Sequence, residues 1–215
     1  MVVMQTASSR TEQDDDVDAL RREDAMLDEI VRTTSTPISS RERLESESMM
    51  DGSKLIELLG HASTHPELDD FLSQNGVKVR PKGGDTPNLV SEKKLGLSFE
   101  YRAQEDFEQS VGKPRSSGKF ILREVDFSTD KVGRFATFAG EFPFGVSFAT
   151  SESGLESVFG APRESLAGDD EDGPNHVYCV QGLIVVAQFS VGGKSIEWLR
   201  VGLPTNADRD QGLCP

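Results

Sequence analysis

Cysteine, tryptophan and basic residues are scarce in this 215-residue chain, and each shortage narrows what it can be. Two cysteines, Cys179 and Cys214, are too few for the multi-bridge framework of a small secreted domain. Cys179 sits in an apolar strand-like run and reads as a buried small hydrophobe, while Cys214, one residue from the end, reads as free within a frayed C-terminus, 205–215. Lys and Arg number 23 against 37 Asp and Glu, a formal net charge of −14. Binding to phosphate backbones or anionic lipid needs a local excess of cations, so nucleic acid and membrane partners are disfavoured. The longest apolar run, 183–187, falls far short of the roughly 18–20 residues of a membrane span. Met1-Val2-Val3-Met4 turns polar at Gln5, without the apolar core of about 7–15 residues that a secretory signal carries. The expectation is a cytoplasmic protein.

Catalytic and cofactor signatures are equally thin. The chain has no Gly-x-Ser-x-Gly elbow and no Gly-x-Gly-x-x-Gly. Gly192-Gly193-Lys194-Ser195 ends like a phosphate loop, but Gln188 stands where that loop needs its first glycine, and 195–201 reads as a strand. His61 and His65 have the spacing of helical metal ligands, yet Gly60 and Pro66 place them in a connector. His176 reads as a strand-end histidine held by a hydrogen bond. The run Asp169-Asp170-Glu171-Asp172-Gly173 fails the calcium-loop register, because Gly168 falls at its first position and Cys179 at its twelfth. No metal and no cofactor is expected.

Composition divides the chain. Residues 1–50 carry 6 basic and 12 acidic side chains and no aromatic ring. Such a segment cannot bury enough apolar surface to offset the entropy lost on ordering, which predicts a disordered acidic tail. Within it, 17–31 has an apolar stripe that Glu23 and Asp24 interrupt, which reads as a solvated, partly helical stretch ahead of a helix formed only on contact with a partner.

Beyond the tail, helix and strand signals repeat. Ser53 is read as the cap of a helix over 54–59 that Gly60 closes, and Thr64-His65-Pro66-Glu67 as a capping box opening a helix to Gln74. Strands are read at 77–80, 88–92, 95–101 and 120–127, with a loop at 109–119. A second helix-plus-meander follows: a helix over 152–159 ending at Gly160, then strands at 176–180, 183–190 and 195–201. In both halves a Gly-Leu pair, Gly96-Leu97 and Gly182-Leu183, opens a strand about twenty residues after a helix-stopping glycine. The fold class read is α+β: two repeated units, 51–134 and 149–204, each a helix with an antiparallel β-meander. Between them, 135–148 holds Phe135, Phe138, Phe142, Phe144 and Phe148, a linker whose rings plug the junction or offer an aromatic contact patch.

The stretch from Gly145-Val146-Ser147-Phe148 through Thr150-Ser151-Glu152 and Leu155 to Val158-Phe159-Gly160-Ala161-Pro162 resembles a helix motif of known families. It is similar to tandem helix-plus-meander proteins of the beta-lactamase-inhibitor-like group and small bacterial outer-membrane assembly lipoproteins. It also resembles cytoplasmic proteins of bacterial toxin–immunity loci. Gly154 departs from the pattern, which expects a helix former there. The resemblance implies a bacterial protein-binding module without catalysis.

The leading reading is therefore a non-enzymatic acidic module of the immunity or inhibitor type, occluding a basic surface of a protein partner. Its expected contacts are Glu164, Asp169, Asp170, Glu171, Asp172, Tyr178 and Trp198, with charge governing encounter and partner choice. Two other readings stand beside it. One is a small-molecule sensor with a pocket between the units, lined by 135–148. The other is a hydrolase-like enzyme built from carboxylates and His61, His65 or His176, which a histidine and a carboxylate converging in a pocket would mark.

Overall fold

Where apolar and polar residues alternate, this chain pairs into strands, and glycine or proline turns it. The computed structural model describes residues 49–215 apart from Asp85, Asp170 and Glu171. Seven strands make one sheet: β1 (Asn88–Glu92), β2 (Leu97–Ala103), β3 (Phe120–Ser128), β4 (Glu164–Leu166), β5 (Asn175–Val180), β6 (Leu183–Phe189) and β7 (Ile196–Gly202). Their order is β1-β2-β3-β7-β6-β5-β4, every neighbouring pair antiparallel. The meander β1–β3 and the meander β4–β7 thus meet by their last strands, with Asp126 opposite Arg200. Among the described residues five α-helices accompany the sheet: α1 (Gly52–Glu57), α2 (Pro66–Gln74), α3 (Gln104–Ser110), α4 (Glu152–Phe159) and α5 (Asn206–Asp210). The class is α+β, and Ser48–Pro215 form one compact unit. The tail expected at 1–50, with its stretch 17–31, lies outside the described residues except for Met49 and Met50. Met50 already belongs to the core, and its carbonyl accepts from Glu141 N at 2.9 Å.

Local chemistry places the helix starts. Asp51 caps α1, its Oδ1 accepting from Ser53 N at 2.8 Å and Lys54 N at 3.1 Å, so the helix begins before the serine read as its cap. No capping box forms at Thr64. His65 stands at the N-cap of α2, and the Glu67 carboxylate accepts from Lys54 Nζ at 2.7 Å instead. Ser151 caps α4 as read, accepting from Gly154 N at 3.1 Å. The expected strand at 77–80 is irregular, because Arg80 folds back to Asp69 Oδ1 at 2.7 Å and to the Val77 carbonyl at 2.6 Å. β2 starts at Leu97, after a 3₁₀ turn over Lys93–Leu95 that Gly96 closes at φ 70°. A Cβ there would meet Ala136 O and Phe138 N at 2.5 Å, so both backbone angle and space demand glycine.

One face of the sheet carries the main core. Leu55 of α1, Leu68 and Leu72 of α2 and Leu155 of α4 bury against Phe99 and Tyr101 of β2, Val125 and Phe127 of β3, Val185 and Phe189 of β6, and Leu199 and Val201 of β7. The phenylalanine-rich linker threads this core. Phe127 lies 5.0 Å from Phe138 and 5.5 Å from Phe142, and Phe142 meets Phe148 edge-on at 4.5 Å. Phe144 meets Phe159 at 5.5 Å, and Phe159 meets Tyr178 at 5.4 Å. One set of rings thus ties the linker to β3 and a second ties it to α4 and β5, both packed on the main core.

On the opposite face a smaller cluster of Ala62, Phe107, Val111 and Ile121 lies under α3. The C-terminus closes over the same end of the sheet. Cys214, expected to be free, is fully buried in a disulfide with Cys179, Cα–Cα 5.1 Å. The segment expected to fray is held by a Thr205–Asp208 capping box, by Asn206 Nδ2 donating to Gln109 O at 2.8 Å and by Arg209 donating to Val111 O at 3.1 Å. Pairing of residues 35 apart depends on the sheet bringing them together, which spacing alone does not reveal. Among the described residues no helix is long and apolar enough to cross a membrane.

Candidate functional site

α3 and the C-terminal segment cover one end of the face opposite the main core; among the described residues the rest of that face is open of helices, and the central strands carry charge there, with Arg123 and Glu124 buried. A β-bulge on β3 sets the pattern. Register shifts between Glu100 and Tyr101, so Arg123 and Glu124 both face Glu100. Glu100 Oε1 accepts from Arg102 Nε at 2.8 Å and forms an ion pair with Arg123, whose Nε lies 2.7 Å away. Glu124 pairs with Arg123 and, at 3.0 Å, with Arg200 across the β3–β7 junction. Arg200 then reaches Asp126 with two bonds of 2.8 and 3.2 Å, and its guanidinium lies 5.1 Å from the Trp198 ring centroid. Trp198 Nε1 donates to Gln188 Oε1 on β6. Three acids and three arginines thus form a ladder ending at the only tryptophan of the chain. Exposed Leu89 of β1 and Leu166 of β4 flank this face.

Burial pushes the Glu124 carboxyl up to about 7, against the opposing charges of Arg123 and Arg200. Between the ordinary carboxyl value near 4.5 and 7, the unfolded chain has released this proton and the folded chain still holds it. Stability therefore falls as pH rises through that window, by ~3 kcal/mol in total from this group. Urea unfolding at pH 5 and pH 8 should show the fall in the native chain and its loss in Glu124→Gln. An identical slope in both proteins would assign the pH dependence elsewhere.

The sheet's other edge carries a cleft of about 450 Å³, lined by Glu152, Leu166, Gly168, Asp169, Asp172 and Gly192 among others. Ser165 of β4 lies directly opposite His176 of β5, its Oγ 2.7 Å from His176 Nδ1. His176 Nε2 lies 2.8 Å from Glu152 Oε1, at the first turn of α4. The ring is buried, packing against Phe189 at 5.5 Å, so these contacts are on the face that bears the helices.

The residues read from the sequence separate accordingly. Glu164, Asp169 and Asp172 are exposed around β4 and the loop that follows it. That loop is closed on itself, Asp169 Oδ1 accepting from Asp172 N at 2.8 Å. Asp170 and Glu171 lie outside the described residues. Trp198 is half-buried on the open face. Tyr178 is not a surface contact: only 1% exposed, it packs under Phe159, and burial with the nearby charges of Glu156 and Glu152 pushes its hydroxyl up to about 12. Both residue sets of β5, His176 and Tyr178 or Val177 and Cys179, contain apolar members, so alternation alone could not tell which faced inward. His61 and His65 stack with centroids 4.1 Å apart, and burial, then the neighbouring His65, lowers the pKa of His61. Among the described residues no group of three or more His, Cys, Asp or Glu could hold a metal ion. Glu152 and Ser165 were not singled out from the sequence; only the β4–β5 register and the placement of α4 bring them to His176.

An α+β protein with an antiparallel sheet, clefted at one edge, is what the fold of the described residues defines. No protein-family model matches the chain, and no curated protein does. Among solved structures it is similar to a DUF4309 family protein, YjgB, from Bacillus subtilis. That similarity has a TM-score of 0.34 at 15% identity and covers 71% of this chain and 97% of that one.

Proposed function

We propose that the chain is an acidic protein-binding module of the inhibitor or immunity type, docking through the open sheet face centred on Trp198. The observation that carries this reading is the placement of a half-buried tryptophan beside a pre-paired arginine, on a part of the sheet that no helix among the described residues covers. Tryptophan and arginine are the residues that most often dominate binding energy, and the ladder holds both side chains in place before a partner arrives. Exposed Glu164 and Asp172 lie toward the β4 edge, and with the net charge of −14 they favour a basic partner surface. The resemblance to beta-lactamase-inhibitor-like and immunity proteins agrees with this mode of action.

We read the two meanders as copies of one doubled unit. The support is their meeting about the Asp126–Arg200 pair and the positive-φ glycines, Gly96 and Gly182, that open β2 and β6. For the compartment, the Cys179–Cys214 bridge favours an oxidising environment over the cytoplasm expected above, since cytosolic thiols are kept reduced.

Affinity capture with the immobilised full-length chain, followed by titration of the captured partner, tests the docking surface. Binding should shift the emission of Trp198, weaken with added salt, and drop by about 30-fold in Trp198→Ala, the loss expected of a hot spot near 2 kcal/mol. A partner that binds the variant as tightly as the native chain and leaves the emission unmoved would overturn this surface.

A further inference from the structure

Hydrogen-bond polarity at the β4 edge cleft leads further than docking. A carboxylate only accepts, so in the neutral ring the nitrogen facing Glu152, His176 Nε2 at 2.8 Å, is the one that carries the proton. His176 Nδ1 is then the lone-pair nitrogen, and the Ser165 hydroxyl 2.7 Å away donates to it. A serine donating to a histidine whose far nitrogen is held by a carboxylate is the arrangement that activates a hydroxyl for attack, and it is defined by geometry and roles, not by chain order. Here it is assembled from three separate elements. Ser165 and Glu152 both line the cleft, and Ser165 is exposed.

We propose that Ser165 is a nucleophile and that this cleft transfers acyl groups from carboxylic esters to water. Ser165 Oγ attacks the ester carbonyl carbon as its proton passes to His176 Nδ1. The tetrahedral oxyanion collapses, the C–O bond to the alcohol breaks, and the leaving oxygen takes that proton. The acyl group remains on Ser165. A water molecule, giving its proton to the same nitrogen, attacks the acyl carbon; the acid departs and the proton returns to Ser165 Oγ. Glu152 is the positioning residue, fixing the tautomer and stabilising the imidazolium. Among the described residues the charged groups that line the cleft with His176 are Glu152 on α4 and Asp169 and Asp172 on the loop, a setting that repels anionic substrates. Leu166, Ala167, Pro174 and Val191 supply apolar walls. The class of substrate is therefore a neutral or cationic ester with a small apolar acyl group. This site stands apart from Trp198, on the opposite side of the sheet.

The full-length chain treated with an alkyl fluorophosphonate should gain one phosphonyl group on Ser165, with loss of fluoride, as seen by intact mass and peptide mapping. With p-nitrophenyl acetate it should give a burst of p-nitrophenolate. Ser165→Ala should abolish both signals with little change in Tm, and His176→Asn should slow labelling by about 100-fold or more. Glu152, half exposed at the surface, can be changed without emptying a core site. Glu152→Gln should slow labelling roughly 10-fold and move the acid limb of its pH profile to lower pH, a response that a merely structural contact would not give. Ser157→Ala on the exposed side of α4 should match the native chain. Absence of labelling at Ser165, or labelling at an equal rate in His176→Asn, would overturn the proposal.

Discussion

Phe127→Ala should lower the unfolding free energy by about 3–5 kcal/mol, the usual loss for deleting a large buried ring. Phe127 is fully buried on β3 and touches Phe138 and Phe142 of the linker edge-on or tilted. Those rings in turn reach Phe148 and the α4 region. The cavity would open where three elements meet, so no single neighbour can relax into it. Leu89→Ala provides the contrast. Leu89 is 71% exposed on the edge strand β1 and should change stability by less than about 0.5 kcal/mol. Urea unfolding of both variants checks the pair, and comparable losses would mean that the aromatic cluster is not what holds the linker to the sheet.

Removing the Cys179–Cys214 bridge should have an effect of similar size by a different route. The bridge closes a loop of 35 residues, and the entropy that this denies the unfolded chain corresponds to roughly 4 kcal/mol in the chain-entropy model. The double variant Cys179→Ala, Cys214→Ala and the reduced native chain should be destabilised by about the same amount. Both should show a larger denaturant m-value, because an uncrosslinked unfolded chain exposes more surface. In the folded state the bridge also pins the C-terminal residues over the end of β5 and β6, so amide exchange after α5 should accelerate on reduction. Equal stability of oxidised and reduced protein would show that the C-terminal segment is held by α5 and its hydrogen bonds alone.

Much of the scaffold was legible because short-range signals decide it. Six strands appear within two residues of where alternation places them, and α4 runs over the predicted residues because Ser151 and Gly160 punctuate it. What went unread was set by distant partners. α3 has no strong apolar stripe; Phe107 alone anchors it against Ile121. β4 has three exposed residues and exists only because β5 offers an unpaired edge. Ser53 and Thr64 are sound caps in isolation, yet Asp51 and the Lys54–Glu67 pair displaced them.

The candidate sites divide along the same line. Trp198 and the acidic loop could be named from residue type, since a lone tryptophan and a charge run are visible in one dimension. The ladder of Glu100, Arg123, Glu124, Asp126 and Arg200 could not, because a bulge and a β3–β7 pairing across 74 residues assemble it. Nor could Ser165, His176 and Glu152, which share a cleft only after α4 docks on the sheet edge.

By itself, then, the order of residues determined the class of fold, the boundaries of six strands, the ends of α2 and α4 and the acidic character of the surface. Each of these follows from propensity, periodicity or a count of charges over a few neighbouring positions. Only the tertiary structure decided which face of each strand is buried, that Cys214 is bonded, and that a serine, a histidine and a glutamate converge. Those outcomes depend on contacts between segments tens of residues apart, whose register is chosen by the burial of the whole core.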